Sequence, residues 1–393
     1  MTVPSPEAVD GVVAQSVVRP GSVAEVQAVV RAGRPLVVSG LGAHLDVGAP
    51  PARIDALVRM DRVERIVDHE AADMTVTAEA GCSLATLERV LGAAGQWLPL
   101  DPPSPERTTV GGLIAANLSG PLRASQGTVR DLLIGIRTVD AEGRLVASGG
   151  KVVKNVAGYD LPKLHIGALG TVGVVVEATF KLRPRPELEE AALLHAGTLA
   201  AAADLALAVR DVLDPLWLEA GTLERGPGVA VGVGGIAPEI AAARRTIEAV
   251  GARSGLAVEW TRDGAALRRS LGAFPVTPAL AVVRASVLPT EVGATMAELH
   301  RIAGDVPVLS HVANGVVRAR LDDAEALRRI LAELRPAIEA AGGFLVVERA
   351  RPDAKRHVDV WGRLGPDLAL MRRVKAAYDP GGIFAPGRFV GGL

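Results

Sequence analysis

The stretch Thr108-Thr109-Val110-Gly111-Gly112-Leu113-Ile114-Ala115-Ala116-Asn117-Leu118-Ser119-Gly120 most narrows what this chain can fold into. Two hydroxyls precede a glycine pair, a small apolar run follows, and Asn-x-x-Gly closes it. Glycines let backbone N–H groups approach an anion closely, and hydroxyls add donors. A pyrophosphate suits that pattern. Upstream, Pro35-Leu36-Val37-Val38-Ser39 reads as a short buried strand opening into Gly40-Leu41-Gly42-Ala43-His44, the first half of a phosphate cradle. Downstream come Gly127-Thr128-Val129-Arg130-Asp131, Val156-Ala157-Gly158-Tyr159-Asp160 and Gly167-Ala168-Leu169-Gly170-Thr171-Val172-Gly173. The last lets a strand pass close to a flat ring or an adenine. A single glycine loop marks only a turn; the ordered set is far more specific.

With 393 residues, the chain is long enough for two domains and a large core. Its formal net charge of −1 recruits neither nucleic acid nor an anionic membrane surface. No apolar run approaches the roughly 20 residues of a bilayer span. The start, Met1-Thr2-Val3-Pro4-Ser5-Pro6-Glu7, is not of the signal-peptide kind. The expected location is the cytoplasm, with any membrane association peripheral and through partners. Cys82 is the only cysteine, which excludes an internal disulfide and any zinc or iron–sulfur site held by several cysteines of this chain. Cys82 itself reads as a small packing residue.

Periodicity predicts helices over 22–31, 84–94, 113–117, 199–213, 238–250, 290–303, 322–341 and 368–378. It predicts strands over 63–68, 74–80, 172–182, 229–233, 281–287, 307–311, 316–320 and 343–347, and a hairpin, 134–140 with 145–148, about Glu142-Gly143. Arg183-Pro184-Arg185-Pro186 is the best boundary. The expected fold class is α+β: a cofactor domain over 1–186, an antiparallel-sheet cap over 187–350, and a segment over 351–393 that returns to the first domain.

The chain resembles the vanillyl-alcohol oxidase/p-cresol methylhydroxylase (PCMH-type) FAD-binding superfamily. Within it, the chain is most similar to the flavin-binding E subunits of bacterial glycolate oxidases. The residues that carry the likeness are Gly40-x-Gly42, Thr108-Thr109-x-Gly111-Gly112, Asn117-x-x-Gly120, Lys154-Asn155-Val156-Ala157-Gly158-Tyr159-Asp160, Leu169-Gly170-Thr171-x-Gly173-Val174 and Arg183-Pro184-x-Pro186. Asp359-Val360-Trp361-Gly362 and Asp379-Pro380-x-x-Ile383-Phe384-x-Pro386-Gly387-Arg388 complete it. The resemblance implies an FAD-binding domain of two α+β subdomains. It implies FAD contacts from Ser39, Gly40, Leu41, Gly42, Ala43, His44, Thr108, Thr109, Gly111, Gly112, Asn117, Gly120, Gly170, Thr171, Gly173 and Val174. It implies two partners, a catalytic flavoprotein subunit and an iron–sulfur subunit, with a small 2-hydroxy acid as substrate of the complex.

Relatives that oxidise 2-hydroxy acids alone carry His-x-x-x-x-x-x-His in the cap and Glu-His-Gly near the return, and these hold a divalent metal or act as base. Here the corresponding stretches are His311 to Arg318 and Glu348-Arg349-Ala350. Arginine is a poor metal ligand and a poor base, so no metal and no catalytic acid or base is assigned. His311 is open between a base and a structural hydrogen bonder; Arg318 and Arg349, between a carboxylate clamp and packing. His44 is expected in loop packing, without a covalent flavin bond, and Asp160 as a loop-fixing acceptor. Ala385 departs from the asparagine that relatives place before Pro-Gly. Gly232-x-Gly234-x-x-Ala237, with Glu259 beyond it, is the best nicotinamide-type match, but it stands in a single strand–helix unit and reads as a cap-domain turn. The favoured function is a flavin subunit of a glycolate-oxidase-type complex. A self-sufficient FAD oxidoreductase and a non-catalytic assembly subunit with a vestigial flavin site are the alternatives.

Overall fold

The computed structural model describes residues 8–151 and 160–393. Lys154 to Tyr159 of the motif quoted above lie outside them. Three sheets organise the described chain. The first is parallel, with Ser16–Val18 and Leu36–Ser39 flanking Ala56–Arg59. Helix Val23–Arg31 packs on it through Val26 and Val30, and its Ser22 N-cap accepts from the Glu25 N–H. The second sheet is antiparallel, in the order Leu145–Gly149, Leu133–Val139, Val174–Lys181, Thr75–Glu79, Ile66–Glu70. Helices Leu84–Gly92 and Val110–Ala116 cover it with Leu87, Leu91, Leu113 and Ile114. One apolar core, with Val58, Met60, Val139, Val176 and Phe384, joins these two sheets.

The third sheet has eight antiparallel strands: Val258–Thr261, Leu188–His195, Gly226–Gly235, Trp217–Leu223, Val308–His311, Val316–Leu321, Ala281–Ser286 and Phe344–Ala350. This is the antiparallel cap. Strand alternation decides its function. Leu218, Ala220, Val283, Ala285, Val317, Ala319, Leu345 and Val347 face a layer of helices that includes Leu199–Arg210, Ala237–Ser254 and Val292–Ala303. The intervening residues Glu219, Arg284, His311, Arg318 and Glu348 therefore share the opposite face, towards the first two sheets.

Some elements differ from the periodicity. Leu188–His195 and Trp217–Leu223 are strands that alternation alone did not reveal, because Ala191, Leu193 and Trp217 are buried on the second face as well. Gly232 and Gly234 are not in a turn: both lie inside the strand Gly226–Gly235, where a side chain would collide with Trp217 and with Leu216. The antiparallel pairing on both sides of that strand excludes the nicotinamide alternative. The helix around Leu113 begins earlier, at Val110, with Thr109 as N-cap, so the glycine pair is its first turn.

The last residues return to the parallel sheet. Leu36 N–H donates to Ile383 O at 2.8 Å, and Ala385 N–H to Leu36 O at 2.8 Å. The buried Asp379 carboxylate accepts the N–H groups of Ile383 and Phe384, each at 2.9 Å, and Lys375 Nζ at 2.6 Å. Lys375 also donates to Thr171 O at 2.8 Å, tying the final helix, Leu368–Tyr378, to the Gly170 bend.

Arg268 joins the cap to the second sheet's loops. It donates to Glu189 at 2.8 and 3.1 Å and to Asp101 at 3.2 Å. Burial pushes the Asp101 carboxyl up to about 6 even with Arg268 beside it. Replacing Arg268 by leucine strands two buried carboxylates, so Arg268→Leu is expected to cost about 3–5 kcal/mol in urea unfolding. A loss below about 1 kcal/mol would mean that this link does not hold the cap.

Candidate functional site

A groove runs between the parallel sheet and the helix Val110–Ala116, and continues beneath the cap. Its first part is lined by Ser39 to Leu45, with Arg107, Thr109, Gly112 and Arg388. A second part, free of charged side chains, is lined by Met60, Gly111, His165, Gly170, Gly173 and Val174, among others. A third lies under the cap between Asn117, Ser119 and Arg123 and the cap residues Arg284, Arg318, Glu348 and Arg349. Leu169 touches all three parts, and it holds a left-handed φ of 51°. Leu169 N–H donates to Ala115 O at 2.8 Å and Gly167 N–H to Ile114 O at 2.9 Å, which closes the carbonyl end of the helix.

The donors of this groove are not those expected. The N–H groups of Val110, Gly111 and Gly112 are spent on Cys82 O at 2.9 Å, Ala80 O at 2.8 Å and Thr109 Oγ1 at 3.2 Å. Thr108 is fully buried, and its hydroxyl donates to Pro103 O at 2.9 Å. The glycines serve close approach: a side chain on Gly40 would collide with Thr109, and a Cβ on Gly111 would stand 3.0 Å from that of Ala80. The free donors lie in the first loop. The N–H groups of Gly40, Leu41, Gly42, Ala43 and His44 donate no hydrogen bond among the described residues. A run of half-buried, unspent N–H groups on a groove wall is an anion-binding nest.

Cations hold that loop from behind. Arg388 donates to Leu45 O at 2.9 Å and Val47 O at 2.5 Å. Lys355, fully buried, donates to Gly48 O at 2.9 Å, to Asp46 O, and to Asp10 at 2.8 Å. Arg349 donates to Ala43 O at 3.3 Å, Asp46 Oδ1 at 2.5 Å and His44 Nδ1 at 2.5 Å. Because Nδ1 accepts from an arginine, the His44 proton is on Nε2, which donates to Thr108 Oγ1 at 2.6 Å. Burial, with Arg349 and Arg107 nearby, holds His44 down at about 3, so it is neutral.

Beneath the cap, Arg318 Nη1 donates to His311 Nε2 at 2.7 Å, and His311 Nδ1 donates to Glu219 Oε1 at 2.5 Å. Arg318 also donates to both Glu348 oxygens, at 2.7 and 3.2 Å. Arg318 and Arg284, with Arg349 further off, hold the Glu348 carboxyl down at about 2 despite its burial. Arg284 and Arg318 are direct cross-strand neighbours. Arg123, reaching in from the other side, has its pKa lowered first by burial and then by these two arginines. The chamber lining thus carries one carboxylate, Glu348, and four arginines, Arg123, Arg284, Arg318 and Arg349, a surplus of positive charge suited to an anion.

Of the residues expected to touch the cofactor, Ser39 to His44, Thr109, Gly111, Gly112, Asn117, Gly170, Gly173 and Val174 line the groove. Thr108, Gly120 and Thr171 do not line it: Gly120 is packed against the Asp101 backbone, and the Thr171 hydroxyl donates to Ala168 O at 2.6 Å. Asp160 is exposed and paired with Lys163. Sequence reasoning missed Arg107, Arg123, Arg284 and Lys355 as groove or loop residues, since isolated cations carry no spacing signal, and it quoted Arg388 in the C-terminal motif without giving it a role. It also missed His165, which is 6% exposed, lines the uncharged part and has no hydrogen-bond partner among the described residues. Burial alone holds His165 down at about 4.

These features fit FAD, whose charge is in the middle of the molecule and whose ends are flat rings. The unspent amides and the adjoining Arg107 and Arg388 suit the charge, and the uncharged part and the chamber lie to either side. The FAD binding domain family matches residues 14–149. The chain is 40% identical over 153 residues to glycolate oxidase subunit GlcE of Escherichia coli K12, covering 39% of this chain and 43% of that protein. It spans less than half the length of the first glycolate oxidase subunits it matches. It is 28% identical over 415 residues to D-2-hydroxyglutarate dehydrogenase of Xanthomonas citri pv. viticola, covering 94% of this chain and 88% of that one. The structure of p-cresol methylhydroxylase with substrate bound has the same fold, with a TM-score of 0.73 at 15% identity over 95% of this chain and 88% of that chain. Residues 14–149 thus match an FAD-binding domain, and the described chain has the fold of the p-cresol methylhydroxylase structure. Its cofactor is FAD.

Both His44 ring nitrogens are engaged, so acid precipitation is expected to leave FAD in the supernatant; flavin retained on the denatured chain would contradict this geometry. His165 sets a pH dependence. Its pKa is lowered on folding, so its neutral form is compatible with the fold above about 6.5, and stability is lost as pH falls from there towards 4. At pH 5 this loss is about 2 kcal/mol. His165→Asn is expected to flatten the stability–pH curve over that window by this amount relative to the parent, and the comparison cancels the opposite contribution of Asp101.

Proposed function

We propose that this chain is the FAD-binding subunit of a glycolate-oxidase-type 2-hydroxy-acid dehydrogenase complex, acting beside a catalytic flavoprotein subunit and an iron–sulfur subunit. In this reading the cofactor domain is 1–186, the cap 187–350 and the return segment 351–393. FAD contacts come from the groove residues Ser39 to His44, Thr109, Asn117 and the Gly170–Val174 bend, and the amides of the first loop bind the pyrophosphate. FAD, when bound, supplies the two-electron redox chemistry; the protein orients it and sets its field. Arg123 and Arg284 suit the carboxylate of a small 2-hydroxy acid in the chamber.

The observation that carries the subunit reading is that His311, His44 and Glu348, the imidazoles and carboxylate at or beside that chamber among the described residues, are all engaged. His311 Nε2 is occupied by Arg318, His44 is neutral with both nitrogens engaged, and Glu348 is held at about 2. A group so far below neutrality is a weak proton acceptor. The reading draws on the likeness to the glycolate oxidase subunit for its partners. No helix among the described residues is long and apolar enough to cross a membrane. The alternative is a self-sufficient FAD oxidoreductase on another small alcohol or hydroxy acid, favoured by the arginine chamber alone.

Anaerobic mixing of the FAD-loaded chain with glycolate or D-lactate separates these readings. The expected result is an unbleached flavin for the chain alone and bleaching once it is assembled with the co-expressed subunits. Rapid bleaching of the isolated chain would establish self-sufficiency. Normal assembly without bound FAD would identify a vestigial site.

A further inference from the structure

Glu219, His311, Arg318 and Glu348 are ordered as a metal centre is ordered, with a guanidinium where the metal would be. A metal-binding histidine holds its tautomer by donating its other ring N–H to a carboxylate. His311 does this, giving Nδ1–H to Glu219, which is fully buried. Its Nε2 lone pair then points at a cation, Arg318 Nη1, at 2.7 Å. Glu348 brings both oxygens to the same cation, at 2.7 and 3.2 Å. All four residues are on one face of one sheet. A divalent ion needs an unshared imidazole nitrogen and free carboxylate oxygens. Here Arg318 uses both.

We propose that Arg318 is the resident cation of a histidine–carboxylate site, taking the place of a divalent metal and excluding it. The relatives that act alone on 2-hydroxy acids carry histidine where this chain has Arg318, and the metal their motif serves does not fit these residues. The exchange converts a cation that must be acquired into one that is permanent, since guanidinium stays charged at every working pH. The chamber keeps its positive field without depending on metal supply or on the protonation of His311. Removing the guanidinium leaves His311, already oriented by Glu219, and Glu348, still beside Arg284 at 3.7 Å, as a ligand pair open to solvent ions. The inference rests on the hydrogen bonds of these four residues and holds whether or not the chamber binds a hydroxy acid.

The test uses the full chain and reads metal, not turnover. Cobalt(II) is titrated, with visible absorption and equilibrium dialysis, into the parent, Arg318→His, Arg318→Ala and the pair H311A/R318A. The parent is expected to develop no cobalt band that depends on His311. Arg318→His and Arg318→Ala are expected to bind one cobalt per chain at least about tenfold more tightly than the parent, and H311A/R318A to lose that gain. Arg318→Lys, which keeps a cation but cannot fork across Glu348, is expected to stay closed to metal. Stoichiometric cobalt on the parent, removed by His311→Ala, would overturn the proposal. So would Arg318→His and Arg318→Ala chains with parental circular dichroism and no tighter cobalt binding. If neither variant folds, the parent alone decides: a His311-dependent cobalt band refutes the resident cation, and its absence at saturating metal supports it.

Discussion

The grip of three buried or nearly buried cations on one loop is the interaction on which the site depends. Arg349, Lys355 and Arg388 all belong to the last tenth or so of the fold, and all reach back to the carbonyls of residues 43–48. These bonds fix the path of the chain just after the loop whose amides, residues 40–44, donate no hydrogen bond among the described residues. Burial lowers the pKa of Lys355 and of Arg388, a sign that the cost of desolvating these charges is substantial. That cost is offset only when the loop carbonyls and Asp10 are in place. The chain's two ends and the nest thus form one unit, and a cofactor domain read as residues up to 186 is incomplete without the return segment.

The second constraint is the period of two in the cap strands. Because alternate residues share a face, one sheet presents an apolar side to its helices and a charged side to the flavin domain. The charged side would be intolerable if its groups did not pair. Glu219 and Glu348 meet His311, Arg318 and Arg284, and Glu189 meets Arg268 and the Trp217 indole. The pairing is nevertheless uneven. Glu348 faces more positive charge than it can neutralise, and the surplus opens on the cavity beneath. The apolar layer makes the cap stable; the imbalance on its other face gives it a ligand preference.

Much of this was legible in the sequence. The elements at 23–31, 36–39, 133–149, 174–181 and 368–378 follow from caps, periodicity and turn glycines, and the structure keeps them nearly unchanged. The Gly40–Gly42, Gly111–Gly112 and Gly170–Gly173 bends lie along one groove, whereas Gly120 and Gly127 do not line it. Their roles were less legible, because a glycine needed for packing and one needed for an anion look alike in a sequence. Gly111 and Gly120 admit neighbouring backbone, whereas the loop from Gly40 leaves its amides free. The cap strands at 188–195 and 217–223 were hidden by burial on both faces. Lys355 could not have been found at all from local pattern, since the loop carbonyls it holds are more than 300 residues away.

Arginine at 318 and at 349 then has a single physical meaning in two places. At each, a histidine would offer a lone pair, titrate near neutrality and wait for a metal. The arginine offers only donors and a charge that does not titrate. At 349 it locks the nest loop and holds His44 in one neutral tautomer. At 318 it locks His311 and Glu348. Both exchanges trade reactivity for a fixed field. A flavin held in such a frame would have its electrostatic surroundings set by the fold itself, and neither of these two positions would offer it a proton acceptor. That arrangement suits the part the proposed complex gives this subunit, and it follows from two side chains that an inventory of missing ligands would have recorded only as losses.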